Sequence, residues 1–329
     1  MTRFGEVSIA NTQPFSVHPN GFGVSPYLQE KLVFLGQLEV YQQAGELAYS
    51  LLGLPGLTSQ IYRLSTHYGA AIADALDQAA ELPGGAPAPE AVVYAQADGA
   101  MLLTDTGYKE VKLGRIFPAS ALQASPVAER GGELEASVYV SHLGTAADFS
   151  AKFEQQLAAH TARGEALVFI SDGAIWLRQL MEKTCPQATL ILDVYHALEH
   201  IGQAGRTALG TGKAGDTWFE QQRNLLLESR LDDVLHNIGV LALPVAVRES
   251  VCGYLRANRD RMDYQQYRQR GLLIGSGAIE SAHRTVMQKR LKRAGQRWSI
   301  QGAQHLLNLR VALRSHRWNL VRQKIEPFT

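Results

Sequence analysis

Cysteine is nearly absent. Only Cys185 and Cys252 occur in 329 residues, far apart and in no metal-ligand spacing. That excludes a disulfide framework and leaves a reduced, cytoplasmic chain as the plain expectation. Long apolar runs are missing too: no segment holds about eighteen uninterrupted apolar residues, so no membrane span is expected. The opening Met-Thr-Arg-Phe-Gly-Glu lacks a signal-peptide stretch. No internal repeat or low-complexity tract is visible. What remains is an ordinary globular composition, 46% hydrophobic and 19% charged, in a chain longer than one typical domain.

Acidic residues are scarce at one end. From position 281 to the terminus there are eleven Lys or Arg and a single acidic residue, Glu326. The formal net charge of +1 therefore hides a basic terminus and an acidic remainder. Dense cationic side chains fit a polyanionic partner, because they displace counterions from phosphates. A solvated helix face is the other reading.

Along the chain, residues 1–25 are rich in Pro, Gly, Asn and Ser and read as an irregular arm. Over 27–68 the apolar spacing is helical, through Leu28, Leu32, Leu35 and Leu38, then Ala44, Leu47, Leu51 and Leu52. It breaks at Gly53-Leu-Pro-Gly-Leu-Thr58 and resumes at Ile61, Leu64 and Tyr68. Two helices around a short Gly-containing turn fit a helix-turn-helix or any helical hairpin. Residues 83–90 read as a linker.

The texture then changes to strands: Ala91-Val-Val-Tyr-Ala-Gln-Ala-Asp98, Met101–Thr104, Lys109–Phe117 after an Asp-Thr-Gly turn, and Ser137–His142. Thr145 and Asp148 form a capping box for a helix closed by Gly164. Ala166–Ile170 runs into Ser171-Asp172-Gly173 and a helix. Thr189–Leu192 runs into Asp193. Residues 197–265 read as helical, with breaks near Gly210 and Pro244. A helix follows Gly275-Ser-Gly277, and a last one runs from Ile300 to about Lys324.

Three apolar strands thus end in Asp98, Asp172 and Asp193. Any one of these is ordinarily a turn former or helix cap. As a set on neighbouring strand ends, where α/β sheets bind ligands, they crowd like charges unless a cation neutralises them. Hard cations such as Mg²⁺ or Mn²⁺ prefer carboxylate oxygen, and two of them about 3.5–4 Å apart serve phosphoryl transfer. Glu280, in the first helical turn after Gly275-Ser-Gly277, is the further candidate, although a carboxylate there also favours the helix dipole. Arg284, Lys289, Arg290, Lys292, Arg293, Arg297 and Trp298 follow closely and are the candidate DNA contacts.

The motifs Ala97-Asp98-Gly99, Tyr108-Lys-Glu-Val-Lys-Leu-Gly114, Ser171-Asp172-Gly173, Asp193-Val-Tyr-His196, Gly275-Ser-Gly-Ala-Ile-Glu-Ser-Ala-His283, Arg290-Leu-Lys-Arg-Ala-Gly-Gln-Arg-Trp298 and Leu306-Leu-Asn-Leu-Arg310 stand in an order that resembles the ISKra-type insertion-sequence transposases, relatives of the Mutator-like group. The resemblance covers the chain from about Tyr27 onward. It implies an α/β, ribonuclease-H-like core with an all-helical insertion before the catalytic glutamate helix and a small N-terminal helical domain. The segments expected are 1–88 (arm and DNA-binding helices), 89–196 (first part of the core), 197–268 (insertion) and 269–329 (glutamate helix and basic arm). Asp98, Asp172 and Glu280 are implied as the catalytic triad holding two Mg²⁺ or Mn²⁺ ions. Asp193 and His196 match a motif beside that site. The implied partner is double-stranded DNA, both transposon ends and target, bound by a homo-oligomer associated with the nucleoid.

Two further signals compete. Gly210-Thr-Gly-Lys213 is half a phosphate loop, with Thr207 at the required first glycine and Ala214 in place of the Mg²⁺-holding hydroxyl. His196-Ala-Leu-Glu-His200 matches the H-x-x-E-H of inverted zinc peptidases, with Glu249 or Glu280 as a third ligand. That reading leaves Asp98, Asp172 and the basic terminus without a role. A non-catalytic DNA-binding protein derived from a transposase would keep the fold and lose the reaction.

Overall fold

The computed structural model describes residues 22–78, 91–123, 133–134, 136–162 and 164–325. Most of the arm read at 1–25 and the whole linker at 83–90 lie outside them. The chain forms two compact units, one of residues up to Gln78, Leu102–Lys109 and Val286 onward, the other of the intervening segments through Thr285.

The first unit is helical. Helices α1 (Pro26–Leu38), α2 (Tyr41–Leu52), α3 (Thr58–Ala71) and α4 (Ala73–Asp77) share it with α13 (Lys289–Leu291), α14 (Ile300–Arg314) and α15 (Asn319–Ile325). Ser25 caps α1, whose Pro26 supplies a fixed φ at the first helical position. Leu32, Ile61, Leu64, Tyr68, Leu309, Ala312 and Val321 fill the core. Gly69 lets α3 approach α14, since a Cβ there would strike the His305 carbonyl.

The sequence pattern differs from the structure in three places here. One expected helix over 28–52 is two, because Glu39 is extended and Val40 starts a new helix. Leu47, Leu51 and Leu52 are exposed, and Ala44, Gly45 and Ala48 make the buried stripe instead. The single terminal helix is also two, divided where His316 turns to φ +57.

The second unit is mixed α/β and mostly helical. Its strands are β1 (Val92–Thr104) and β2 (Gly107–Pro118), apart from their Leu102–Lys109 tip, which belongs to the first unit, the two-residue β3 (Leu122–Gln123) and β4 (Glu133–Leu134), β5 (Val138–Leu143), β6 (Ala166–Ser171) and β7 (Thr189–Leu192). Five of them form one sheet in the order β5-β2-β1-β6-β7. The two residues joining β1 to β2 allow only an antiparallel hairpin. β2 pairs antiparallel with β5, whereas β1, β6 and β7 run parallel. Capping by Thr145 is present, with the Asp148 N–H donating to its hydroxyl at 3.1 Å.

Alternation along β1 sorts its side chains. Val93, Ala95 and Ala97 pack under α5 (Ala146–Ala162) and α6 (Ile175–Thr184), through Phe149, Phe153, Leu177 and Met181. Tyr94, Gln96 and Asp98 belong to the opposite face. That face is covered by α7 (Val194–Leu209), α8 (Lys213–Leu227), α9 (Leu231–Gly239), α10 (Val245–Ala257) and α11 (Tyr264–Gln269). This is the helical stretch read at 197–265, although α7 starts at Val194, so the expected boundary at 196/197 falls inside it. The outer edge of β7 is protected by two hydroxyls, as Tyr264 donates to the Leu192 carbonyl at 3.0 Å and Tyr267 to that of Leu190 at 3.4 Å. Helix α12 (Gly277–Ala282) follows, and a π-helical turn, His283–Gln288, carries the chain into α13.

Candidate active site

Asp172 and Asp193 directly follow the last residues of β6 and β7, as expected. Asp98 does not end its strand. The Asp-Gly pair that reads as a turn is extended, because β1 continues as one arm of the hairpin to Thr104. Asp98 still marks the end of the parallel ladder, whose last β1–β6 pair is Gln96↔Ile170. One repeat further in that register brings Asp98 opposite Asp172, and the β6–β7 register, ending at Ser171↔Leu192, sets Asp172 opposite Asp193.

Asp98 feels that crowding. Burial, and next to it the charges of Asp172 and Glu110, push its carboxyl above the ordinary value, against the lowering effects of the Gly99 N–H and His196. Its Oδ1 accepts from the Gly99 N–H at 2.7 Å, and its Oδ2 lies 3.5 Å from Nε2 of the buried His283. Glu110 packs over Gly99, where a Cβ would collide with its carboxylate, and pairs with Lys112 at 2.7 Å.

Asp172 accepts from the Ala174 N–H at 2.9 Å, and its carbonyl accepts from the Tyr254 hydroxyl at 2.6 Å. Burial, followed by the Asp172 charge, raises the Tyr254 pKa, which keeps that hydroxyl a donor. Gly173 is required twice over: its φ is +94, and a Cβ would sit 3.0 Å from Leu192 and 3.1 Å from the Tyr254 hydroxyl.

Asp193 is fully buried and caps α7 through the Tyr195 N–H at 3.1 Å. It also accepts from the Ser276 N–H at 3.2 Å and the Ser276 hydroxyl at 2.7 Å. A Cβ on Gly275 would lie 2.7 Å from the Tyr195 ring, so the loop must come this close as glycine. Gln96, also fully buried, donates to the Gly275 carbonyl at 3.3 Å and accepts from the Ile279 N–H at 2.9 Å. From β2, buried Arg115 donates to the Ala278 carbonyl at 2.8 Å.

Glu280 is exposed in the first turn of α12. The structure therefore brings Asp98 and Asp172 together and seats the glutamate helix on the same face. Among the described residues, no three His, Cys, Asp or Glu side chains converge on one point as placed. The donor set nevertheless fits hard divalent cations. Asp98, just past the end of the parallel ladder, and Asp172, just past β6, offer the carboxylate oxygens such ions prefer, and burial followed by the Asp172 charge raises the Asp98 pKa.

In the H-x-x-E-H run, His196 Nε2 is 3.8 Å from Asp193 and Nδ1 is 3.7 Å from Glu199. His200 instead stacks on Tyr254, ring centroids 3.9 Å apart, and burial lowers its pKa.

The basic candidates divide by exposure. Arg284, Lys289, Lys292 and Arg297 are exposed. Arg293 bonds Gln43 at 3.0 Å and pairs with Glu39 at 2.9 Å. Arg290 is fully buried, its Nε donating to the Gly36 carbonyl at 3.1 Å, its guanidinium 4.7 Å from the Tyr41 ring centre and 5.3 Å from that of Trp298. Burial lowers its pKa to about 10. Trp298 is buried as well and donates to the Leu291 carbonyl at 3.0 Å. These two build the core of the first unit, as does Arg310, and do not face solvent.

Gln96, His283, Tyr254 and Arg115 are site residues that pattern reading passed over. One signal was present for Gln96, the sole polar residue between Ala91 and Asp98. Another was present for His283, one helical turn beyond Glu280.

No protein-family model matches the chain. A Streptococcus gallolyticus protein described as "UPF0236 protein in vanSb 3'region" is 23% identical over 316 residues, spanning 92% of this chain and 67% of the relative. Among the described residues, no helix is long and apolar enough to cross a membrane.

Proposed function

We propose that the chain is a DNA transposase with an Asp-Asp-Glu site on a ribonuclease-H-like core, cutting phosphodiesters at transposon ends and joining them to target DNA. The observation that carries this reading is the closeness of Asp98 and Asp172 just past the carboxyl end of a parallel ladder, with the Glu280 helix docked on the same sheet face. The sheet order, an antiparallel run followed by two parallel strands, supports the ribonuclease-H-like assignment.

In this reading Asp98, Asp172 and Glu280 would hold two Mg²⁺ or Mn²⁺ ions. When bound, such ions activate a water or a 3′-hydroxyl and stabilise the leaving oxygen. The protein's own contribution is placement. Tyr254 and the Ala174 N–H fix Asp172, the Gly99 N–H fixes Asp98, and Gln96 with Asp193 fixes the loop that launches α12. Exposed Arg284, Lys289, Lys292 and Arg297 contact DNA phosphates without reading sequence. A homo-oligomer would present two such sites to two transposon ends.

The test is cleavage and strand transfer on duplexes carrying the sequences that flank the coding region, where terminal inverted repeats and a short target duplication are expected. Asp98→Asn, Asp172→Asn and Glu280→Gln should each lose cleavage while retaining fold and DNA binding. Near-normal cleavage by Glu280→Gln would remove that residue from the site.

A further inference from the structure

We infer that Gln96 is a positioning residue that sets where Glu280 stands relative to Asp98; the inference rests on the metal-site reading above. Successive side chains on one face of β1 each engage the segment around the glutamate helix. The Tyr94 hydroxyl accepts from the Leu273 N–H at 3.0 Å. Gln96 holds the Gly275 carbonyl at 3.3 Å and the Ile279 N–H at 2.9 Å. Asp98 lies 3.5 Å from His283.

The spacing of the Gln96 bond and the Asp98–His283 contact is similar in both elements. Gln96 and Asp98 are two strand residues apart, a rise of about 6.6 Å. Ile279 and His283 are four residues apart, and at helical rise that is about 6 Å. Gln96 thus fixes the start of the helix on the strand, and Glu280 directly follows the bonded Ile279, with His283 and Asp98 in proximity further along. Sliding by one residue would break the Gln96 bonds.

Gln96 is suited to this work for a chemical reason. Its amide donates at one end and accepts at the other, so one side chain bonds a loop carbonyl and shares, with the Ser276 carbonyl, the Ile279 N–H of the first helical turn. A carboxylate at position 96 would supply only acceptors, and an apolar residue neither. An apolar side chain would lose both bonds and leave the helix start held only by its local Ile279–Ser276 bond.

The test is a double-mutant cycle on the full chain, read as Mn²⁺ affinity by electron paramagnetic resonance of free Mn²⁺. Glu280→Gln and Gln96→Met should each weaken Mn²⁺ binding, by roughly 10–100-fold. In the Gln96→Met background, adding Glu280→Gln should change affinity by no more than about twofold, because the glutamate is already displaced. Equal losses from Glu280→Gln in both backgrounds would overturn the positioning role. If Gln96→Met does not keep the wild-type circular dichroism, Gln96→Asn, which keeps an amide one methylene too short, takes its place in the cycle. Failure of the underlying reading shows earlier and separately: the unaltered chain would bind no Mn²⁺, or bind it indifferently to Asp98→Asn, and the inference would fall with it.

Discussion

Asp193 accepts both the backbone N–H and the hydroxyl of Ser276, at 3.2 and 2.7 Å, across 83 residues of sequence. The same carboxylate caps α7. One buried side chain therefore ties the end of β7, the start of the helical block and the loop before α12. This gives the Asp193 motif a physical task beside the proposed site without making it a ligand.

Removing that carboxylate should be costly. Asp193→Ala loses the cap and leaves two buried Ser276 donors unpaired, a destabilisation of about 2–4 kcal/mol. Ser276→Ala removes one hydroxyl and its bond, about 1 kcal/mol. Urea unfolding of the two variants and the double variant checks this. If the double variant lost the sum of both, the two residues would be acting independently.

Asp98 gives a pH-dependent prediction. Its pKa in the folded chain is raised above the ordinary 3.8, so the fold binds this proton more tightly than the unfolded chain does. Ionisation therefore works against folding. The cost is absent below about pH 3.8, grows as pH rises through the raised value, and is complete above it. Metal-free Asp98→Asn should accordingly melt higher than wild type at pH 7, with the difference shrinking toward pH 4. Added Mn²⁺ should raise the melting temperature of wild type and leave Asp98→Asn unmoved. A lower melting temperature for Asp98→Asn at pH 7 in chelator would contradict the account.

The basic residues should separate into two classes. Neutralising Lys289, Lys292 and Arg297 to Gln should flatten the slope of log affinity for duplex DNA against log salt by about 3 units. Arg290→Ala should leave the slope alone and cost on the order of 2–4 kcal/mol of stability, through the lost ring contacts and the Gly36 bond. An unchanged slope in the triple variant would make that face merely solvated.

Arg290 also marks the limit of what the sequence discloses. Strands β6 and β7 were legible because each is a short apolar run ending in an aspartate, a pattern that local spacing contains. Asp98-Gly99 looks like a strand end and turn in isolation because the partner that keeps β1 extended, β2, is information held by the pair and absent from either segment. Counting charge cannot distinguish a solvated arginine from one enclosed by Tyr41 and Trp298, since Tyr41 lies on a helix 249 positions away in sequence. Gln96 was visible only as a polar interruption. Its meaning depends on Gly275 and Ile279 folding back onto the same strand.

The H-x-x-E-H run provides the remaining test, because zinc would require His196 and His200 to act as equals. The structure gives them different surroundings. His196 lies between Asp193 and Glu199, whereas His200 is stacked flat on Tyr254, the residue that holds Asp172. His200→Phe preserves a ring for that stack and should retain both fold and cleavage, with a stability change below about 1 kcal/mol. His196→Ala should lower cleavage, because it removes the imidazole whose charge bears on Asp98. Elemental analysis of the purified chain should find no tightly held zinc, with activity returning on Mg²⁺ or Mn²⁺ after chelation, as weak and exchangeable carboxylate sites behave. One equivalent of zinc, lost in both His196→Ala and His200→Phe, would replace the transposase reading with a metallopeptidase one.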